Sequence, residues 1–157
     1  MNDLLEFNYE TKKSLKEYEN LFRNLLVSAK KILHINKNLS LSVNYINEIK
    51  SKEINKQYRE KEYVGDVISF PINDEFGIYE QLDFKEVGDI FITFSEAQNK
   101  AKKYNHTIIE EMAWLFVHGL LHILGFDHET NEQEAKEMFK LTDDILESEN
   151  IKYIMSF

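Results

Sequence analysis

At 157 residues and 18.7 kDa, with 43% hydrophobic and 30% charged residues, the chain has the size and composition of one globular domain, 1–157. The lack of cysteine excludes a disulfide scaffold, thiolate zinc sites, iron–sulfur clusters and a thiol nucleophile. The net charge is −9, and residues 129–149 carry eight acids against two lysines, which argues against a broad basic footprint for nucleic acid but not against a local RNA pocket.

Residues 4–9 suggest a short first strand. Over 14–33 the apolar residues Leu15, Tyr18, Phe22, Leu25, Leu26, Ala29 and Ile32 recur every three or four positions, which predicts a helix with one buried stripe. His34 then stands at a helix C-terminus, where a solvated imidazole suits the dipole. Alternation of Leu39, Leu41, Val43 and Tyr45 with small polar residues predicts a strand. Residues 47–59 predict a mostly polar helix, and 67–70 a strand that Pro71 ends or places at a sheet edge. Strands are expected at 78–82 and 87–94, followed by a helix that Ser95 caps and that runs to Tyr104. Residues 107–124 read as a buried helix ended by Gly125. Asn131 and Glu134 open an acidic, amphipathic last helix to Glu149. Strands and helices mix without regular alternation, so the expected fold class is α+β. The longest unbroken apolar run, Met112 to Val117, is far short of the ~20 residues that span a bilayer. Asp3 and Glu6 break the order of an export signal. A soluble, cytoplasmic protein without a membrane partner is the expectation.

Three of the five histidines fall between 118 and 128. His118 and His122 are four apart on a helix, so both rings leave one face and can reach a single metal ion at ~2.0–2.1 Å. Gly125 lets the chain turn back and bring His128 to the same ion. The spacing is that of the metzincin zinc motif, except that the protease's glutamate is replaced by Gly119. Three neutral imidazoles leave a fourth position open for a water, whose pKa zinc lowers toward ~7. A closed, structural zinc would instead need a fourth ligand, for which Asp127 and His106 are the candidates. Trp114, Leu115, Phe116 and Met112 read as core. Asp66 and Asp89 either orient a ligand histidine or cap a strand end, and Asp127 either orients His128 or accepts a proton.

The segment His118-Gly-Leu-Leu-His122-Ile-Leu-Gly-Phe-Asp-His128 resembles the His-Gly-x-Leu-His-x-x-Gly-x-Asp-His signature of the YbeY family, bacterial endoribonucleases of ribosomal RNA maturation. Asn55-Lys-Gln-Tyr58-Arg59, then Asp66-Val-Ile-Ser-Phe-Pro71 and Gly88-Asp-Ile90, are similar to upstream blocks of the same family. The last helix, with Glu134-Ala135 and Met138, is similar too. The likeness spans roughly 39–147, with Gly65 in place of a threonine and Ile68 in place of a leucine; the first is expected to loosen the turn into its strand. The resemblance implies a small mixed sheet of about four strands packed with helices, and a zincin-like metal helix. It also implies one Zn2+ held by His118, His122 and His128, with Arg59 as the catalytic residue outside the metal. Further implied are cleavage of single-stranded ribosomal RNA during maturation and small-subunit quality control, and partners in the small ribosomal subunit and its assembly proteins, with no DNA substrate. Guanidinium suits Arg59 to a phosphate gathering charge, and only Arg23 shares that chemistry; the alternative is a surface arginine packed over Tyr58. Rival readings are a metalloprotease or other metal hydrolase, and a non-catalytic ribosome-assembly factor braced by structural zinc.

Overall fold

The computed structural model describes residues 3–9, 15–60, 65–72, 77–78, 82–127 and 131–153, with Arg59 described by its backbone alone. In chain order these form β1 (Leu4–Tyr9), a 3-10 turn (Lys16–Tyr18), α1 (Glu19–Leu33), β2 (Asn38–Ile46), α2 (Glu48–Arg59), β3 (Val67–Pro71), β4 (Phe84–Thr93), α3 (Phe94–Tyr104), α4 (Ile108–Ile123) and α5 (Glu132–Glu147). The four strands make one mixed sheet in the order β1-β2-β4-β3. β1, β2 and β4 run parallel, and β3 joins β4 antiparallel as an edge strand with Pro71 at its end. This is the expected α+β architecture. No described helix is long and apolar enough to cross a membrane.

Several expected boundaries shift. The first helix is preceded by a 3-10 turn and begins at Glu19, while Ser14 lies outside the described residues. Ile78 and Leu82, the described ends of the strand expected at 78–82, are not in the sheet, and 79–81 lie outside the described residues. Ser95 does not cap α3. The N-cap is Thr93, whose hydroxyl donates to the Gly65 carbonyl at 2.7 Å, while Ser95 donates to Glu48 at 3.0 Å. The last helix stops at Glu147, two residues early. The turn before β3 is held rather than loosened: Gly65 N–H donates to Ser51 Oγ at 2.9 Å, and Ser51 and Thr93 hydroxyls both donate to the Gly65 carbonyl. A Cβ at Gly65 would stand 2.9 Å from Asn55 Nδ2, so the missing methylene is what lets buried Asn55 close on this turn.

Strand alternation gives the sheet two different faces. Val43, Tyr45, Ile90 and Ile92 share one face with Val67 and Ser69, through the pairs Val43–Ile90, Tyr45–Ile92, Ser69–Ile90 and Val67–Ile92. On this face lie α1 and α4, with Phe22 of α1 stacked on Phe116 of α4 at 4.4 Å and 7°. The opposite face carries Ile46 and Ile68, packed with Ile54 of α2, Phe70 and Phe91. It also carries a polar ladder across three strands. Asn8 Nδ2 donates to Asn44 Oδ1 at 2.9 Å, Asn44 Nδ2 to Ser42 Oγ at 2.8 Å, and Ser42 Oγ to Asp89 Oδ1 at 2.5 Å.

Helix α4 is the centre of the core. Thr107 and Glu110 form a reciprocal capping box at its start. Twelve of its sixteen residues are buried, Glu111 and His118 among them, which accounts for a sequence apolar over most of its circumference. The close approach of β3 and β4 depends on Gly88. Its φ is +147°, and a Cβ there would sit 2.3 Å from the Phe70 carbonyl oxygen. Gly88→Ala is expected to cost about 3 kcal/mol, from backbone strain and overpacking together, measured by denaturant unfolding.

Glu111 makes a second testable point. Burial pushes its carboxyl above the ordinary value of 4.5, outweighing the Tyr153 hydrogen bond and the Lys100 ammonium, which act the other way. The proton is therefore held more tightly in the fold than in the unfolded chain. Stability from this group is full below pH 4.5 and is lost as pH rises through the raised folded value. Glu111→Gln keeps a carbonyl acceptor for Tyr153 and removes the ionisation. Its stability relative to the unsubstituted chain is expected to improve as pH rises from 4.5 through the raised folded value, read as a difference in thermal midpoints; a constant difference contradicts this assignment.

Candidate metal centre

His118 and His122 project from the last two turns of α4 and meet. Their Nε2 atoms are 3.0 Å apart and their rings stand edge to face, 4.5 Å between centroids at 86°. Two imidazole nitrogens on one tetrahedral zinc are separated by roughly 3.3 Å, so the observed approach is close to the spacing one ion requires. The His122 tautomer is set by the helix end. Gly125, with φ +104°, reverses the chain; its N–H donates to the His122 carbonyl at 3.0 Å and Phe126 N–H to the Leu121 carbonyl at 2.9 Å. That reversal carries the Phe126 carbonyl back to accept from His122 Nδ1–H at 3.1 Å. With Nδ1 protonated, the neutral ring presents the Nε2 lone pair toward His118.

His118 is 7% exposed and stacks on Trp114, one turn earlier, at 4.4 Å and 14°. The donor set, convergent and with one ring fixed through its second nitrogen, fits a divalent ion that favours imidazole. The chain reversal at Gly125 is in place as expected, but His128 lies outside the described residues. Among the described residues no group of three or more His, Cys, Asp or Glu side chains is placed to hold a metal.

Gly119 has a steric explanation. A Cβ there would lie 3.0 Å from Ile90 Cγ2, 3.1 Å from Ser69 Oγ and 3.2 Å from Val67 Cγ2. The position faces the sheet, not the histidine pair, and has no room for the glutamate that the protease motif carries.

The carboxylates separate. Asp66 is committed at the start of β3, where Oδ1 accepts from Val67 N–H at 2.8 Å and Oδ2 pairs with Lys100. Asp89 accepts from Ser42 on the sheet face away from α4. For Asp66 this is the strand-end role expected as the alternative; Asp89 stands in the middle of β4, paired across to Ser42, and caps no strand end. His106 is not brought to His118: it stacks on Tyr153 at 4.3 Å, and the Tyr153 and Trp114 rings stand between. Asp127 is half-buried beside the reversal.

Arg59 is the last residue of α2. The next residue, Glu60, is left-handed at φ 55° and its N–H donates to the Asn55 carbonyl. Tyr58 is 63% exposed and meets Phe70 edge to face at 5.5 Å, which sets the end of α2 against the edge strand β3. The other face of β3, through Val67 and Ser69, touches α4 at Gly119, next to His118. The other arginine, Arg23, belongs to α1, near Glu19 at 3.7 Å and over the Phe7 ring.

The sequence reads Trp114 as core and holds no motif that marks Glu111 or Tyr153. Trp114 is indeed buried, yet it is also the ring against which His118 rests. The signal was available in the spacing: Glu111, Trp114 and His118 recur at intervals of three and four, which places them on one helical face.

The family model Endoribonuclease YbeY matches residues 5–150. A Mesoplasma florum protein named Endoribonuclease YbeY is 40% identical over 153 residues, covering 98% of this chain and 90% of its own length. A Bacillus cereus protein of the same name is 37% identical over 152 residues, covering 94% of this chain and 97% of its own. The solution structure of TM1509 from Thermotoga maritima superposes with a TM-score of 0.61 at 28% identity, over 92% of this chain and 91% of that one. The chain belongs to the Endoribonuclease YbeY family.

Proposed function

We propose that this chain is a zinc-dependent endoribonuclease that cleaves single-stranded ribosomal RNA in small-subunit maturation and quality control. The observation that carries the reading is the approach of His118 Nε2 and His122 Nε2 to 3.0 Å at the C-terminal end of a buried helix. His118 and His122, joined by His128, hold one zinc ion in a zincin-like arrangement. Bound there, zinc supplies Lewis acidity and lowers the pKa of a water toward ~7.

The chain's own residues supply the rest. The Phe126 carbonyl fixes which His122 nitrogen faces the ion, and Trp114 limits the tilt of His118. Attack on a phosphodiester gathers negative charge on its non-bridging oxygens. A guanidinium answers it with two parallel, permanently charged donors, and we assign that task to Arg59. The contact of the preceding Tyr58 with Phe70 of the edge strand β3 supports the assignment, as does the engagement of Arg23 with Glu19 and Phe7 elsewhere. An overall charge of −9 makes unaided RNA affinity weak, so delivery of the substrate by ribosomal proteins or assembly factors fits the composition. The peptidase reading is disfavoured by Gly119, since its place against Ile90 and Ser69 closes the position of the protease's base.

Elemental analysis is expected to find one zinc per chain, lost in His118→Ala and His122→Ala. Arg59→Ala is expected to keep the metal while cleavage of a single-stranded RNA falls by at least ~100-fold. Cleavage that survives either metal removal or Arg59→Ala overturns the assignment. Because ligating imidazoles are neutral, metal content should fall as pH drops below the ordinary histidine value of ~6.5. Gly119→Glu, which restores the protease motif, is expected to lower thermal stability without producing peptide cleavage; a stable, peptide-cleaving variant would favour the protease reading.

A further inference from the structure

Four rings form a column that ends at His118. His106 stacks on Tyr153 at 4.3 Å and 1°, Tyr153 on Trp114 at 5.2 Å and 21°, and Trp114 on His118 at 4.4 Å and 14°. The middle of the column comes from the segment after α5. That segment turns through Asn150 at φ 58°, pins the Ile151 N–H to the Leu146 carbonyl at 3.0 Å, and buries the Ile151 side chain. It is tied to α4 by a polar contact: Tyr153 Oη–H donates to Glu111 Oε1 at 3.1 Å.

Glu111 is fully buried, and its second oxygen has no hydrogen-bond partner among the described residues. A carboxyl in that position is costly, and among the described residues the hydrogen bond it accepts comes from the Tyr153 hydroxyl. Burial first, and the neighbouring Glu111 carboxylate second, raise the Tyr153 phenol above its ordinary value, which keeps the donated proton in place. The χ2 torsion of a histidine is broad and roughly two-fold, so a ring meant to aim one nitrogen at an ion needs a second contact to select its plane. For His122 that contact is the Phe126 carbonyl; for His118 it is a ring face.

We propose that Trp114 and Tyr153 are positioning residues for His118: the ring column, anchored at Glu111, holds the imidazole plane so that Nε2 faces His122 Nε2. This rests on the metal reading of the histidine pair. It assigns to the segment after α5, remote from the signature motif, a direct part in metal affinity.

The test compares Trp114→Leu, Tyr153→Leu and Tyr153→Phe with Phe116→Leu, a change on the opposite side of α4 where the ring packs on Phe22. The zinc dissociation constant is measured by competition with a chromophoric chelator, and the thermal midpoint of the metal-free protein is recorded alongside. Trp114→Leu and Tyr153→Leu are expected to weaken zinc binding at least tenfold, the scale of losing an outer partner of a metal ligand. Tyr153→Phe, which keeps the ring but loses the hydroxyl held by Glu111, should fall between the unsubstituted chain and Tyr153→Leu. Phe116→Leu should lower the midpoint and leave zinc affinity within twofold. Trp114 is the sole tryptophan, so zinc added to the unsubstituted chain should change its emission and saturate at one equivalent. Unaltered zinc affinity in both leucine variants, or an equal loss in Phe116→Leu, overturns the proposal. Should Trp114→Leu fail to fold, the two Tyr153 variants decide. A wild-type chain that takes up no zinc is a different result, visible before any variant is made, and removes the metal reading itself.

Discussion

Helix α4 lies on the sheet at a point where it has no side chain. Ile90, Ser69 and Val67 come within 3.0–3.2 Å of where a Cβ at position 119 would stand, so the helix axis is as near to β3 and β4 as a backbone can be. This contact fixes the rotation of the helix about its own axis. Position 119 must face the strands, and the adjacent His118 is then turned toward the flank where Trp114 and the segment after α5 lie. His122, one turn on, follows it. A bulkier residue at 119 would lift α4 off the sheet and move both rings with it. The glycine that ends the comparison with the proteases is therefore also what sets the histidine pair in place.

The helix buries two polar groups, Glu111 and His118, and they are handled differently. Glu111 is satisfied on one oxygen by Tyr153 and biased by burial toward its neutral form, with Lys100 the nearby counter-charge. His118 rests against the Trp114 ring, and its Nε2 lies 3.0 Å from His122 Nε2. An apolar enclosure of this kind strengthens any interaction made at those nitrogens, because the local dielectric is low. It also explains why α4 is apolar almost all round: the site sits at the end of a core helix, not on a loop above it.

Much of this was legible in the sequence. The period of α1, the alternation of β2, the cap at Asn131 and the glycine stop after α4 are local signals, and each is where the residues put it. The pair of histidines four apart was equally plain. What failed was non-local. Ser95 looks like an N-cap, but Thr93 holds that position, with its hydroxyl bonded to the Gly65 carbonyl, 28 residues away, rather than to the helix. Asp66 and Asp89 could not be assigned without knowing that Lys100 and Ser42 stand opposite them. The ring column unites positions 106, 114, 118 and 153, and no spacing rule links the last of these to the rest.

The hydrogen-bonded ladder of Asn8, Asn44, Ser42 and Asp89 bears on strand assembly. Parallel neighbours such as β2 and β4 have no tight hairpin to fix their offset, so side chains must do it. Sliding β4 by one residue would swap its two faces. Ile90 would leave the shelf beneath α4, and the carboxylate of Asp89 would take its place in the driest part of the molecule, stripped of Ser42 and without a counter-ion. An uncompensated buried charge of that kind costs several kcal/mol. The misaligned sheet is thus penalised on both sides at once, and the fold admits a single offset in which a helix bearing two imidazoles can settle.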